Sequence, residues 1–261
     1  MSSDVTLGST TKSEWIKFHT VRSTVMGVII TFVLTIGLGV LITVAVRGHW
    51  TSMATGERLT FDPVSASLDG ILFAQFAVGV IGTLFITSEY SSGSIRTTLV
   101  AVPNRLKLMA GKLIVLATSM LVVTEIVCFI TFLIGQAIFS GVVPTASLSN
   151  GTVLRTVIFA GVYLTLLSIL GFSLGLILRQ SAACISVFTS LLLILPIIAF
   201  LLPQSWQHAF SKFEPSELGR AMTSVTGTSG DFSAWGALAL LVTYVVVVLG
   251  VGTTMLKRRD A

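Results

Sequence analysis

Charge is scarce in this chain. Asp, Glu, Lys and Arg together make up 10% of its 261 residues, while hydrophobic residues make up 53%. A soluble domain carries about 25% charge. With a mean hydropathy of +0.95, the shortage excludes a water-soluble globular enzyme. The apolar runs also leave no room for a separate catalytic domain of ~100 residues or more. Cysteine is nearly absent. Cys128 and Cys184 both fall inside apolar runs, which excludes a disulfide framework and reads as two small buried hydrophobes. The three histidines, His19, His49 and His208, are far apart and none belongs to an HExxH pair, so no metal site is expected. There is no GxSxG and no GxxxxGK[ST] phosphate loop. The chain is therefore not expected to be an enzyme by itself, nor to bind and hydrolyse ATP in the P-loop manner. Residues 1–24 hold charges but no apolar core ahead of a small-residue cleavage site, so a retained anchor is expected rather than a cleaved signal. No internal repeat stands out.

What is abundant is long apolar sequence. Six runs, at about 25–46, 70–88, 113–138, 153–178, 181–202 and 234–256, are each long enough to cross a ~30 Å hydrocarbon layer at about 1.5 Å per residue. The expected fold is an all-α membrane protein. Residues 1–24 form a cytoplasmic N-terminus with an interfacial helix, 25–256 a six-span domain, and 257–261 a cytoplasmic tail. Only Arg179 and Gln180 separate the fourth and fifth runs. A charged residue there must reach water, which predicts a tight turn between two spans.

The basic residues give direction. With the N-terminus inside, the inner segments hold Lys12, Lys17, Arg22, Arg96, Arg105, Lys107, Lys112, Arg179, Lys257, Arg258 and Arg259. The outer ones hold Arg47, Arg58, Arg155, Lys212 and Arg220. The excess inside places both termini in the cytoplasm. The formal charge of +5 thus reads as topology signals and lipid-headgroup contacts, with no nucleic-acid partner implied.

Several connecting segments carry pattern. Trp15, Phe18 and Arg22 follow 3/4 spacing and, with Lys17, predict an interfacial elbow helix. In the last outer loop, Trp206, Phe210 and Phe213 predict a short amphipathic helix, and Pro215 starts a second. The two form an outer hairpin between spans five and six. In the inner loop, 89–112, Ser91 or Ser92 can cap a short helix through Gly93 and Ser94 that Pro103 helps to end. Ile95, Leu99 and Val102 form a narrow apolar stripe on it. So short a stripe needs either the bilayer or a groove on another protein to pack against.

The order Glu89…Gly93-Ser94-Ile95-Arg96…Leu99…Pro103-Asn104-Arg105…Lys112 resembles the loop after the second span of ABC-2 type permeases, the membrane subunits of ATP-binding-cassette exporters. Ser94 stands where that family usually has Thr and keeps the hydroxyl. The Trp15/Lys17 elbow, the six spans and the Pro215-Ser216 segment are also similar. The resemblance implies that residues 94–102 are a coupling helix seated in a separate ATPase subunit. Two such ATPases would carry the ATP and Mg, and this chain would bind no cofactor. Twelve spans per complex imply a second copy or a sister permease. It further implies a bacterial cell membrane and outward transport of a hydrophobic or amphiphilic drug, peptide or lipid. Glu89 is expected to pair with Arg96, Arg105 or Lys112.

Within the spans, Glu125 is a costly charge and so a functional candidate. A hydrogen-bonded or protonated carboxyl, a proton relay and a cargo contact all remain open for it. Gln75 beside Phe73 and Phe76 could line a path or simply pack. Gly171 and Gly175 predict a close helix crossing, and Pro196 a kink. Two rival functions follow: a secondary transporter driven by protons through Glu125, and a non-transporting scaffold or sensor.

Overall fold

The computed structural model describes residues 7–94, 104–225 and 232–259, and these are helices joined by short turns. Helix α1 (Leu7–Thr20) precedes α2 (Arg22–His49), and a single 3-10 turn follows. Two short helices, α3 (Thr55–Leu59) and α4 (Pro63–Leu68), lead into α5 (Ile71–Ser91). Then come α6 (Arg105–Phe139), α7 (Gly151–Leu178) and α8 (Ser181–Phe200). Two further short helices, α9 (Gln204–Ser211) and α10 (Pro215–Thr223), precede α11 (Ala234–Arg259). Six of these, α2, α5, α6, α7, α8 and α11, are long and apolar enough to cross a membrane.

The spans alternate in direction, so α1, the 92–104 connection, the Arg179 turn and the end of α11 share one end of the bundle. We call it the terminal end. The short helices α3, α4, α9 and α10 cover the far end. The central helix is α7, packed against α5, α6, α8, α10 and α11. Large apolar side chains point outward on the other spans, among them Val33, Leu41, Ile126, Ile197, Phe200 and Val246. A water-soluble surface would not tolerate so many; against lipid they are solvated.

Small residues make the interfaces, because lipid leaves no hydrophobic incentive to hide Leu and Val between helices. On α2 the buried residues are Thr24, Thr31, Thr35, Gly39 and Thr43. Three of those threonines return their hydroxyls to carbonyls one turn back, at 2.6–2.9 Å. The crossing of α5 and α7 is closer still. A methyl added at Gly82 would meet the Ser168 carbonyl, and one at Gly171 the Gly79 carbonyl. The Thr83 hydroxyl donates across to Gly171 O at 3.2 Å. The expected Gly171/Gly175 crossing is present.

Helix ends follow local chemistry. Asn104 and Asn150 cap α6 and α7 through their side-chain oxygens, at 3.1 and 2.9 Å. Capping by Asn104 starts α6 at Arg105, so the second half of the inner connection is helix rather than loop. Arg179 adopts φ 56° and turns the chain from α7 directly into α8, as the two-residue spacing predicts. Around Pro196 the backbone departs from regular α-helix. Ser190–Ile194 forms a π-helical turn, with the Leu195 N–H donating to Ser190 O five residues back. Proline cannot donate one turn back and its ring crowds that carbonyl; the widened turn just before it absorbs the misfit.

The α5–α7 crossing supplies a direct test. Gly82→Ala should destabilise the protein by roughly 1–3 kcal/mol, because a backbone carbonyl cannot swing aside as a side chain can. Gly37→Ala, with open space around it, should leave the thermal midpoint in detergent unchanged or slightly raised.

Candidate functional site

At the terminal end, two carboxylates and two ammonium groups from three helices meet. Glu14 and Lys17 come from α1, Glu89 from the last turn of α5, and Lys112 from the third turn of α6. Lys112 Nζ lies 2.6 Å from Glu14 Oε2 and 2.7 Å from Glu89 Oε1. Lys17 Nζ lies 2.9 Å from Glu14 Oε1 and 3.0 Å from the same Glu89 oxygen. The side chains of Glu14 and Lys112 are each 1% exposed, whereas Lys17 is 39% exposed. Lys112 also sits 5.2 Å from the centre of the Phe85 ring. Phe85 in turn meets Phe18 edge-on at 5.6 Å.

The docking face of α1 is therefore Thr10, Glu14 and Phe18, spaced four apart and all buried. Thr10 seats against Gly111 of α6, where an added Cβ would lie 3.0 Å from the Thr10 methyl. This divides the elbow residues. Trp15 is 47% exposed and Arg22 is exposed, but Phe18 turns into the bundle. Lys17 is engaged with carboxylates rather than left for headgroups alone. Half-burial of Lys17 disfavours its charged form, but the hydrogen bond to Glu14 and the charges of Glu89 and Glu14 outweigh that. Its pKa lies above the ordinary lysine value of 10.5 as a result.

Glu89 pairs with Lys112, one of its three expected partners, and also with Lys17. Glu14 had no assigned role in the sequence. The signal was present: Glu14 and Phe18 share a face with Thr10, and a carboxylate there needs a base on the adjoining helix. Arg105 turns elsewhere, its guanidinium 3.5 Å from Leu256 O, which ties α6 to the end of α11. The Arg179 guanidinium lies 5.3 Å from the centre of the Tyr90 ring. Each element at this end is thus joined to a neighbour around the 92–104 connection.

That connection begins in a defined way. Gly93 takes φ 71°, a conformation that ends α5 and that glycine alone adopts without cost. Ser92 Oγ accepts the Ser94 N–H at 3.5 Å and meets Ser94 Oγ at 2.9 Å, the arrangement of a serine cap. Ile95, Arg96, Leu99, Val102 and Pro103 lie outside the described residues.

Of the residues considered for a path, Gln75 and Glu125 lie at different helix contacts. Gln75 is buried and accepts the Tyr163 hydroxyl at 2.6 Å, across the α5–α7 contact. Phe73 is half exposed, and Phe76 packs against the core. Glu125 lies against Gly161 at the α6–α7 contact, with Oε2 buried and lacking a hydrogen-bond partner. Among the described residues no group of three or more His, Cys, Asp or Glu side chains is gathered to hold a metal ion.

The far end is held by polar side chains of short helices rather than of open loops. Asp62 caps α4 through the Val64 and Ser65 N–H groups and accepts the Val225 N–H at 3.0 Å. The Ser65 hydroxyl donates to Thr223 O at 3.0 Å. The Asp62-Pro63 pair is itself a helix-start signal that could have found α4. The expected pair of short helices between the last two spans is present as α9 and α10, with Trp206, Phe210 and Phe213 exposed, although Phe213 follows the end of α9.

Six apolar spans packed through small residues define a polytopic helical membrane protein. Within that class, the chain belongs to the family described as a protein of unknown function, DUF2705, whose model matches residues 50–261. The matched stretch contains Glu89 and Lys112 but not Glu14 or Lys17. No curated protein matches the chain.

Removing Lys112 leaves the two buried carboxylates with only the half-exposed Lys17 between them, a loss of up to roughly 3–5 kcal/mol. Lys112→Met should therefore free α1, read as increased mobility of a spin label at Ile16→Cys. Lys17→Met, at a half-exposed pair, should cost under about 1 kcal/mol and leave the label slow. Because the pKa of folded Lys17 is raised, its contribution is complete below pH 10.5. It fades only as pH climbs through the elevated value. The small Lys17 contribution should thus be intact at neutral pH and be lost only in strongly alkaline buffer, read as a slight fall in thermal midpoint that Lys17→Met does not show.

Proposed function

We propose that this chain is the membrane-spanning subunit of an ATP-driven exporter, with ATP hydrolysed by a separate subunit docked at the terminal end. The observation that carries this reading is the buried Lys112 bridge. It fastens α1, the end of α5 and the start of α6 on both flanks of the 92–104 connection, whose sequence resembles the coupling segment of ABC-2 permeases. A push on that connection would move three helices as one body rather than bend one helix end. Rigid transmission of this kind is what a rocking, two-state membrane gate requires. The excess of Lys and Arg at the terminal end supports a cytoplasmic location for it. A second copy or sister permease would complete the translocation unit, and the cargo is a hydrophobic or amphiphilic molecule.

One observation favours a second reading. The Glu125 carboxyl is wedged against Gly161 with a buried oxygen that accepts no hydrogen bond. An intramembrane acid in that position is suited to carry a proton, which is the basis of a proton-driven transporter.

The two readings part in one experiment. Tagged protein purified in mild detergent should bring down a nucleotide-hydrolysing subunit in stoichiometric amount. Leu99→Ala should weaken stimulation of its ATPase by roughly tenfold, the loss expected from truncating one well-packed interface side chain. Proton flux that depends on Glu125, with no such subunit bound, would overturn the exporter reading in favour of the second.

A further inference from the structure

Far from the ion cluster, α8, α11 and the α9–α10 hairpin line a half-open cavity of about 750 Å³. That lies inside the roughly 300–1,000 Å³ usual for small-molecule sites. Its walls are apolar, contributed by Leu170 of α7, Leu195 and Ile198 of α8, and Val247 of α11. The widened π-helical turn of α8 borders it through Leu191. A second apolar recess of about 410 Å³ borders the same stretch of α8 and shares Leu191 and Leu195.

Polar groups in the wall are few, and most are already satisfied. The Tyr244 hydroxyl donates to Phe213 O at 3.0 Å, and the Thr243 hydroxyl to Ala239 O at 2.8 Å. Glu214 is different. It lines the cavity and is 4% exposed, and its Oε1 is buried without a hydrogen-bond partner. It stands at the N-cap position of α10 yet makes no side-chain cap bond. Among the described residues no cation pairs with it. The nearby Lys212 ammonium lies over the Phe213 ring, at 5.2 Å. Burial, and secondarily the charge of Glu217, raises the Glu214 pKa above its ordinary value, as expected of a carboxyl still lacking a partner.

A buried carboxylate facing a greasy cavity is costly unless a donor, and best a cationic donor, meets it. We propose that this cavity is a binding site for a lipophilic amine, whose ammonium pairs with Glu214 while its hydrocarbon body fills the space between α8 and α11. The site lies at the opposite end from the ion cluster. The inference concerns binding alone, so it stands or falls independently of whether an ATPase drives the chain. A neutral lipid tail would satisfy the walls but leave Glu214 as it is; a second copy of the chain would cover the groove and shut small molecules out.

The test uses the full chain in phosphatidylcholine nanodiscs with two photoreactive probes. One is a 12-carbon alkylamine with a terminal diazirine and the other is the matching alcohol. The amine should label α8 and α11 within the cavity about tenfold more than the alcohol, the discrimination expected of one charge-assisted hydrogen bond. Excess dodecylamine, but not dodecanol, should compete the label away, a measurement that needs no variant. Glu214→Gln should abolish the preference, and Ala199→Trp should reduce amine labelling by filling the space. Equal labelling by both probes would overturn the proposal and leave an ordinary lipid seam. Labelling by neither, with a dimer seen by native mass spectrometry, would overturn it in favour of a second copy.

Discussion

The organisation of the terminal end depends on one ammonium group placed between two carboxylates. Lys112 has left water entirely, and so has Glu14. The desolvation cost of each is several kcal/mol, offset because Lys112 meets both Glu14 and Glu89 at hydrogen-bond distance and Lys17 meets the same two carboxylates from the rim. That condition is geometric. It holds only while α1 lies along α6 and the last turn of α5 stays beside the third turn of α6. The cluster therefore specifies an arrangement more than it adds stability, since apolar residues of equal volume could hold the helices as firmly. Phe18 on Phe85 and Thr10 on Gly111 complete the same contact with ordinary packing.

The rest of the bundle follows a different rule. Between spans, stability comes from close approach, so the tightest crossings use Gly79, Gly82, Gly171 and Gly175, and α2 presents threonines. The hydroxyls of Thr31, Thr35 and Thr43 are satisfied within α2, and Thr83 of α5 reaches across to the Gly171 carbonyl. The large apolar residues are left for lipid. The two ends of the molecule are correspondingly different in kind. The terminal end is a compact charged joint around a short connection, while the far end is a capped, hydrogen-bonded cover over an apolar cavity.

How much of this was legible follows from where the physics is local. Span number and approximate limits were readable because length and apolarity alone decide them, and the Arg179-Gln180 turn because a charge cannot stay in lipid. The α5–α7 crossing was half visible in the Gly171/Gly175 spacing. The docking face of α1 was not, because Trp15, Phe18 and Arg22 also fall on one helical stripe. Only the position of Lys112 on another helix shows that Phe18 and Glu14 turn inward. Arg105 and Lys107 read as loop residues, yet the Asn104 cap makes them helix. Gln75 and Tyr163, 88 residues apart, pair through a contact that no spacing announces.

In the proposed exporter, a joint of this construction would receive force at the connection and pass it on. The central claim is that α1 is locked along α6 by the buried bridge, and one measurement addresses it directly. A Cβ placed on Gly111 would lie 3.5 Å from the Cβ of Thr10, within the range a disulfide needs. Thr10→Cys/Gly111→Cys, with Cys128 and Cys184 replaced by serine, should cross-link under mild oxidation in native membranes and lose most of that cross-link when Lys112→Met is added. A well-folded double-cysteine protein that does not cross-link, or one whose cross-link survives the loss of Lys112 undiminished, would contradict the account.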